Sequence, residues 1–225
     1  MATIAEGTPT RIVVESAAPV ADPAPLGLAA FALTTFVLSG HNATFIPDLI
    51  WVGLALFYGG LVQFAAGMWE FRNRNVFGAT AFSTYGGFWM SLGIFITFAV
   101  VSKSFGDALA GANLPNAVAW YLLAFAIFNT YMVLWSTQVS VAVFLVFLTL
   151  EATEILLVVG NFDAAHGHAN NGWIHLGGWV GIATAAVAWY ASAAGVINGM
   201  KAPTVVLPVG APLTFNRPLP RRQHA

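Results

Sequence analysis

The chain has 225 residues, of which 58% are hydrophobic and only 8% are charged, whereas an ordinary soluble domain carries about 25% charged residues. This composition predicts a protein whose main solvent is the lipid bilayer. The formal net charge is −1 and no basic block occurs, which excludes nucleic-acid binding because that needs clustered lysine and arginine. Cysteine is absent, so disulfides and thiolate metal sites are excluded as well.

Six apolar stretches approach or meet the length of about 20 residues that a membrane-spanning helix needs. A β-barrel would require alternating apolar and polar residues, and the unbroken apolar run 141–148 does not alternate. The sequence therefore predicts an all-α membrane protein with six spans, at 26–44, 50–71, 76–101, 117–136, 139–160 and 172–199.

The two ends of the chain differ in composition from the spans between them. The first 25 residues contain four prolines and no basic-then-apolar run, which predicts a flexible arm and not a cleaved signal peptide. The stretch from Lys201 onwards contains five prolines and predicts an irregular tail. The expected organisation is an arm at 1–25, a transmembrane domain at 26–199 and a tail at 200–225.

Lysine and arginine fall almost entirely on one side of the predicted spans, and cytoplasmic loops collect these residues. Lys103 alone lies on the opposite side. This bias places both termini in the cytoplasm and predicts a multi-pass protein of the cytoplasmic, or inner, membrane. The residues on the basic side are Arg11, Arg72, Arg74, Lys201, Arg217, Arg221 and Arg222.

Glycines recur every seven residues in the second and third spans, at Gly53, Gly60 and Gly67 and then at Gly86 and Gly93. Each set forms one stripe along a helix. Such stripes, and a G-x-x-x-G pair at Gly177 and Gly181, favour close helix packing over a direct role in transport.

Two carboxylates, Glu151 and Glu154, lie near the middle of the fifth span, where an ionised carboxylate costs on the order of 3 kcal/mol. They face an aqueous cavity, or are protonated, or bond to polar groups of a neighbouring helix. Two roles for these glutamates therefore stay open: a structural hydrogen bond between helices or subunits, and proton coupling. Metal binding is disfavoured, because His41 and His175 lie nearer the span ends, and no metal or other cofactor is expected.

Uncharged polar residues within the spans are candidates for a substrate pathway, because each must find a partner or water. Asn42 and Gln63 are the costliest of these to bury, while Thr84 and Thr149 are weaker candidates, since threonine often bonds to its own helix. The sequence has no lysine inside a span, no H-E-x-x-H and no G-x-x-x-x-G-K. A transport protein is therefore favoured over an enzyme.

One segment just before the first span closely resembles the N-P-A-P-L-G-L signature of the acetate uptake transporter family, the YaaH/SatP group. The resemblance continues through further motifs over nearly all of 22–210, including Phe57-Tyr58-Gly59-Gly60 with Gln63 and Leu207-Pro208-Val209-Gly210. The segment itself reads Asp22-Pro23-Ala24-Pro25-Leu26-Gly27-Leu28.

The resemblance implies a six-helix, hexameric transporter that takes up acetate and related short carboxylates, succinate among them, together with protons. It also implies a hydrophobic constriction of Phe31, Tyr85 and Leu150 and a substrate-discriminating position at Ala188. At about 1.5 Å per residue the three constriction residues lie roughly 8, 13 and 16 Å from the inner ends of their spans, so they can share a level.

This chain departs from the family pattern in two places. Asp22 replaces the usual Asn, and a carboxylate is still expected to cap the start of the first helix. Glu151 and Glu154 fall where uncharged residues are usual. On a helix Glu154 is only about 40° from Leu150 and Glu151 about 100° away, so Glu154 is expected near the constriction.

Three functions are compatible with these observations. A proton-linked carboxylate transporter is favoured, and a passive channel for small anions is the alternative. A membrane receptor or scaffold is disfavoured, because the matching residues lie mostly inside the spans. The expected partners are the carboxylate, protons, membrane lipid and further copies of the chain.

Overall fold

The computed structural model describes residues 20–111, 113–168, 171–201 and 203–213. This part of the chain is all-helical, without strands. Six of its helices are long and apolar enough to cross a membrane, and the short helix α4 lies between the third and fourth of them. The helices are α1 (Ala24–Asn42), α2 (Ile50–Arg72), α3 (Val76–Val101), α4 (Lys103–Gly111), α5 (Leu114–Ser136), α6 (Val141–Ala165) and α7 (Gly172–Lys201).

The six long helices match the six spans expected from the sequence, and the differences lie at their ends. Helix α1 begins earlier than expected because Pro25 lies in its first turn, where the missing N–H costs nothing. Helix α6 begins at Val141, after the Ser140 side chain accepts a hydrogen bond from the Val143 N–H at 3.2 Å. It continues to Ala165, beyond the predicted end of this span at residue 160.

The long helices form a ring. Helix α7 packs against α1 and α6, α5 packs against α6, and α2 packs against both α1 and α3. A shorter contact between α3 and α5 closes the ring. Helix α7 is the member of this ring that lies between α1 and α6.

Close approach of α2 to α3 depends on glycine. A Cβ atom on Gly86 of α3 would lie 2.6 Å from the Phe64 backbone nitrogen of α2, far inside van der Waals contact. A Cβ atom on Gly67 of α2 would likewise lie 2.6 Å from the Ser83 backbone nitrogen of α3. Gly53, by contrast, has nothing within 4 Å. The expected glycine stripe thus acts in helix packing over part of its length.

The G-x-x-x-G pair of α7 serves two different neighbours. Gly177 lies against Leu157 of α6, whereas Gly181 lies against Ser39 of α1. Gly178, between them, packs directly on the backbone of α1, with its Cβ position 2.7 Å from the Ser39 carbonyl oxygen. The small residues let α7 fit into the groove between α1 and α6.

The described part of the tail is irregular, as expected, but it docks on the bundle. The Ala142 N–H donates to the Val209 carbonyl oxygen at 2.9 Å, and the Leu213 N–H donates to that of Thr137 at 2.7 Å. The Tyr190 hydroxyl donates to the Pro208 carbonyl oxygen at 2.6 Å. The tail thus lies at the same face of the bundle as the α5–α6 connection. Arg11, Arg217, Arg221 and Arg222 lie outside the described residues.

We predict that Gly86→Leu lowers the stability of the bundle by about 1–3 kcal/mol, because the new side chain forces α2 away from α3. Gly87→Leu is the matched control, since a Cβ atom there has nothing within 4 Å. Thermal unfolding in detergent measures both variants. Equal melting temperatures for the two variants would contradict the packing described for α2 and α3.

Candidate functional site

Phe31, Tyr85 and Leu150 meet at the centre of the ring. They come from α1, α3 and α6, and the Phe31 and Tyr85 rings pack edge to face with centroids 6.0 Å apart. All three side chains are almost fully buried. The structure therefore brings together the residues expected to form a constriction, and we call this group the neck.

A cavity lies on each side of the neck, and all three neck residues line both of them. The near cavity, on the side of the chain ends, has a volume of about 20 Å³. The far cavity, on the other side, has a volume of about 40 Å³. A cavity needs roughly 10–15 Å³ to hold one water molecule, so the far cavity has room for about three.

Gln63 is the polar residue of the near cavity. Its side chain is 1% exposed, and the Oε1 atom has no hydrogen-bond partner. It follows immediately after a π-helical segment of α2, Phe57–Val62, and such segments often mark functional sites. Its other neighbours in the cavity include Leu28, Ala81, Phe82, Val146 and Phe147.

The far cavity carries more polar groups than the near one. Thr35, Trp89 and Glu154 are each at most 5% exposed, and each has a buried polar atom without a partner: Thr35 Oγ1, Trp89 Nε1 and Glu154 Oε2. Asn42 lines this cavity too, and it also lines a larger vestibule of about 350 Å³ beyond it. Other lining residues of the vestibule are Leu38, His41, Asp48, Trp51, Leu122 and Asn161.

Glu154 is hydrogen-bonded to the neck. The Tyr85 hydroxyl oxygen lies 3.1 Å from Glu154 Oε1 and 3.0 Å from Asn129 Oδ1. Asn129, on α5, is fully buried, and its Nδ2 donates to the Phe147 carbonyl oxygen at 3.0 Å. The expected position of Glu154 beside Leu150 is thus seen, and α3, α5 and α6 are joined at this level.

The orientation of the Asn129 amide fixes the hydrogen positions in this cluster. Because Nδ2 donates to a backbone carbonyl, Oδ1 is the acceptor, and it needs the single hydroxyl hydrogen of Tyr85. Tyr85 can then only accept from Glu154, which requires a proton on Glu154 Oε1. If Glu154 is ionised, the hydrogen of Tyr85 turns to it, and Asn129 Oδ1 loses its partner at a cost of about 1–3 kcal/mol.

Glu151 points away from the cavities. Its Oε1 accepts from the Thr130 hydroxyl at 2.8 Å, and its Oε2 accepts from Asn129 Nδ2 at 2.8 Å. The side chain is half-buried between α5 and α6. The two glutamates therefore differ in setting, since Glu154 lines a cavity and Glu151 bonds to the neighbouring helix.

Three other residues expected on a substrate pathway line neither these two cavities nor the vestibule. Thr149 donates to the Leu145 carbonyl oxygen of its own helix at 2.8 Å. Thr84 is half-buried, and Ala188 is fully buried on α7. Their role in transport stays a prediction.

Sequence reasoning did not single out Thr35 and Trp89. Thr35 was one of several threonines in the spans, and nothing in its neighbourhood along the chain distinguishes it from Thr34. The Thr34 side chain lies against Gly59 of α2, so adjacent threonines face different surroundings. A helical projection from the neck residue Phe31 would have found Thr35, which lies one turn further on.

The signature segment 22–28 connects the start of α1 to the rest of the bundle. Asp22 Oδ1 accepts from the Ala24 N–H, the first of α1, at 3.0 Å, while the N-cap position itself is Pro23, without a side-chain capping bond. The Pro25 carbonyl oxygen accepts from the Ser192 hydroxyl of α7 at 2.6 Å. Gly27 lies against the Phe82 ring of α3, and Leu28 reaches the near cavity. Pro23 and Leu26 complete the segment.

The described residues contain no cluster of three or more histidine, aspartate or glutamate side chains that would hold a metal ion. His41 lies 3.4 Å from Asp48 at the rim of the vestibule. This pair is partly exposed and distant from the neck.

The relatives of this chain carry different printed names, and the ammonia transport outward protein 2 of Saccharomyces cerevisiae, for example, is 39% identical over 197 residues, which cover 85% of this chain and 67% of that protein. Acetate permease A of Emericella nidulans is 41% identical over 186 residues, which cover 79% of this chain and 62% of that protein. The succinate-acetate/proton symporter SatP of Escherichia coli K12 is 34% identical over 193 residues, covering 84% and 95%. The solved structure of the bacterial acetate channel SatP matches with a TM-score of 0.75 at 33% identity, covering 85% of this chain and 99% of that one.

The family model described as the GPR1/FUN34/yaaH family matches residues 7–212. This match covers most of the chain, and it agrees with the resemblance that the signature segment indicated. The relatives named above are transporters or channels, not enzymes. The chain therefore belongs to the GPR1/FUN34/yaaH family.

Proposed function

We propose that this protein takes up acetate and related short carboxylates across the inner membrane together with protons. The single observation that supports this most is the far cavity, where a buried carboxyl group lies directly beside the neck. The names of the relatives support the substrate class, and one of them is a proton symporter.

The setting of Glu154 supports proton coupling. The far cavity is lined by no lysine or arginine among the described residues, and Tyr85 is its one other titratable lining residue. Glu151, on the same helix, is the nearby carboxylate that does not line the cavity. An ionised Glu154 repels a carboxylate anion, whereas a protonated Glu154 donates a hydrogen bond to it. Entry of the anion and protonation of Glu154 therefore favour each other.

The neck acts in this proposal as the barrier between the two cavities. Its residues offer only the Tyr85 hydroxyl as a polar group, and that hydroxyl is already bonded. A carboxylate has to lose its water to pass. Both termini lie in the cytoplasm, so the near cavity opens inward, and the protein works as a hexamer with one pathway in each subunit.

We expect labelled acetate to accumulate in proteoliposomes when the lumen is more alkaline than the medium. Protein-free liposomes give the background, because neutral acetic acid crosses lipid unaided. Clamping the membrane potential with potassium and valinomycin separates two mechanisms. Proton-linked uptake follows the pH difference at zero potential, whereas protein-dependent flux that follows only the potential would identify a passive anion channel and contradict proton coupling.

A second prediction concerns Glu154→Gln. The wild-type rate should fall as pH rises and Glu154 loses its proton, and the glutamine variant should lose this fall. A difference of about tenfold at the alkaline end corresponds to about 1.4 kcal/mol of repulsion. Glu151→Gln is the comparison variant and should keep the wild-type profile. If Glu154→Gln also keeps the wild-type pH profile while it is expressed at a normal level, Glu154 has a structural role only.

The third prediction tests the neck. Leu150→Ala removes a side chain that lines both cavities, so butyrate and lactate should be transported better relative to acetate. The control is Leu148→Ala, on the same helix but 42% exposed on its outer face. An unchanged ratio of butyrate to acetate uptake in Leu150→Ala would show that Leu150 does not limit the passage.

A further inference from the structure

Four buried polar atoms without a hydrogen-bond partner lie along helix α2, away from the far cavity. They are Thr34 Oγ1, Gln63 Oε1, Ser83 Oγ and Glu70 Oε1. Such atoms are rare in proteins, and each costs about 1–3 kcal/mol when left without a partner. Gln63 lines the near cavity, and the proposed mechanism uses none of the other three.

Three of these atoms follow one another along α2 toward the side of the chain ends. Gln63 and Glu70 are seven residues apart and therefore share one face of the helix. The Ser83 side chain of α3 lies against Gly67, between them. Gly67 is four residues after Gln63 and three before Glu70, so the steps along the helix axis are about 6 and 4.5 Å. One water molecule that makes two hydrogen bonds of about 2.8 Å spans a gap of this size.

Glu70 is the last member of this row. Its side chain is fully buried, and its Oε2 accepts from Asn73 Nδ2 at 3.0 Å. Asn73 itself is exposed. A Cβ atom on Gly78 of α3 would lie 2.7 Å from Glu70 Oε1, so the carboxyl group has room only because that residue is glycine. Glu70 is therefore a buried carboxyl group one side chain away from the solvent on the side of the chain ends.

The charges around Glu70 leave its carboxyl group without an ion pair. In the described part of the chain no lysine, arginine or histidine nitrogen lies within 4 Å of it, because the salt bridges found there join other residues. Arg72 and Arg74, the nearest cations along the chain, are exposed. Besides two asparagine amides, the group that acts on Glu70 is the Asp22 carboxylate, which is a like charge. This setting suits a group that binds and releases a proton, and not one that is fixed in an ion pair.

We infer that Gln63, Ser83 and Glu70 form a path for protons along α2, separate from the passage of the carboxylate, and that Glu70 releases the proton on the side of the chain ends. This inference rests on the proposed function and assigns the inner half of its proton path. The near cavity offers no other polar route, since its walls are apolar apart from Gln63 and Tyr85.

The transfer is a series of proton exchanges between oxygen atoms. A water molecule bonded to Gln63 Oε1 takes the proton from the near cavity and passes on one of its own. The Ser83 hydroxyl accepts that proton and gives its own to the next water molecule, which protonates an ionised Glu70. Glu70 then loses a proton to the solvent. Every group ends in its starting state, so one proton has crossed and only O–H bonds are made and broken.

Two measurements in proteoliposomes separate release of the proton from passage of the carboxylate. Net uptake of labelled acetate into an alkaline lumen requires release of a proton in every cycle. Exchange of labelled for unlabelled acetate, at equal concentration and equal pH on both sides, does not. Glu70→Gln keeps the shape of the side chain and removes its exchangeable proton. It should lower net uptake by about tenfold or more and leave exchange within about twofold of the wild-type rate.

Ser83→Ala removes the middle group of the row. It should lower net uptake by about threefold to tenfold, since a water molecule replaces the hydroxyl in part, and it should also keep the exchange rate. Thr34→Val is the matched control. It too removes an unpartnered buried hydroxyl, but Thr34 lies against Gly59, on the far side of Gln63 from Glu70. This variant should keep both rates.

Two results would overturn the inference. One is net uptake at the wild-type rate in Glu70→Gln and Ser83→Ala. The other is a fall of net uptake and exchange by the same factor in Glu70→Gln, which would show that Glu70 serves the passage of the carboxylate. Melting temperatures in detergent check the folding of each variant, and Ser83→Ala decides by the same comparison if Glu70→Gln is unstable. Absence of protein-dependent net uptake in the wild type would instead refute the proposed function itself, and the inference with it.

Discussion

A carboxyl group in the middle of a membrane-spanning helix must be neutral or fully hydrogen-bonded, and this requirement organises the centre of the bundle. Glu154 meets it through Tyr85, and Tyr85 in turn is held by Asn129. These three residues come from three helices, so satisfying one carboxyl group fixes their relative positions. The same bonds hold the Tyr85 ring beside Phe31, and the geometry of the neck therefore depends on them.

The cluster also lies where the ring of helices is packed least. Helices α3 and α5 share only a short contact, where the rings of Tyr85 and Phe88 pack against Phe125 and hydrogen bonds also cross between the helices. The Tyr121 hydroxyl of α5 donates to the Phe88 carbonyl oxygen at 2.7 Å, one turn along α3 from the bond between Tyr85 and Asn129. A change in the charge of Glu154 alters the hydrogen bonds of Tyr85 and thus affects the contact between α3 and α5. Proton binding and the width of the passage are thereby linked in the proposed mechanism.

The sequence predicted the number of spans and their approximate limits, because hydrophobic length is a strong signal. The family resemblance pointed to Phe31, Tyr85 and Leu150, which meet at the centre of the bundle, and their action as a constriction stays a prediction. The depths of the three neck residues become more similar when they are counted from the observed helix starts instead of the predicted ones. Counted from Ala24, Val76 and Val141, Phe31, Tyr85 and Leu150 lie at about 10.5, 13.5 and 13.5 Å. The sequence could not show which polar groups share a cavity, because Thr34 and Thr35 differ only in what faces them. Nor could it separate the roles of Glu151 and Glu154, whose partners lie on other helices.

In the proposed mechanism Glu154 carries an exchangeable proton that responds to the substrate. Infrared difference spectroscopy on the reconstituted protein tests it most directly, because a protonated carboxyl group has a carbonyl stretch that a carboxylate lacks. We expect such a band in the wild type at neutral pH, present also in Glu151→Gln, absent in Glu154→Gln and shifted by acetate. A wild-type spectrum that shows no protonated carboxyl band sensitive to Glu154→Gln would contradict it.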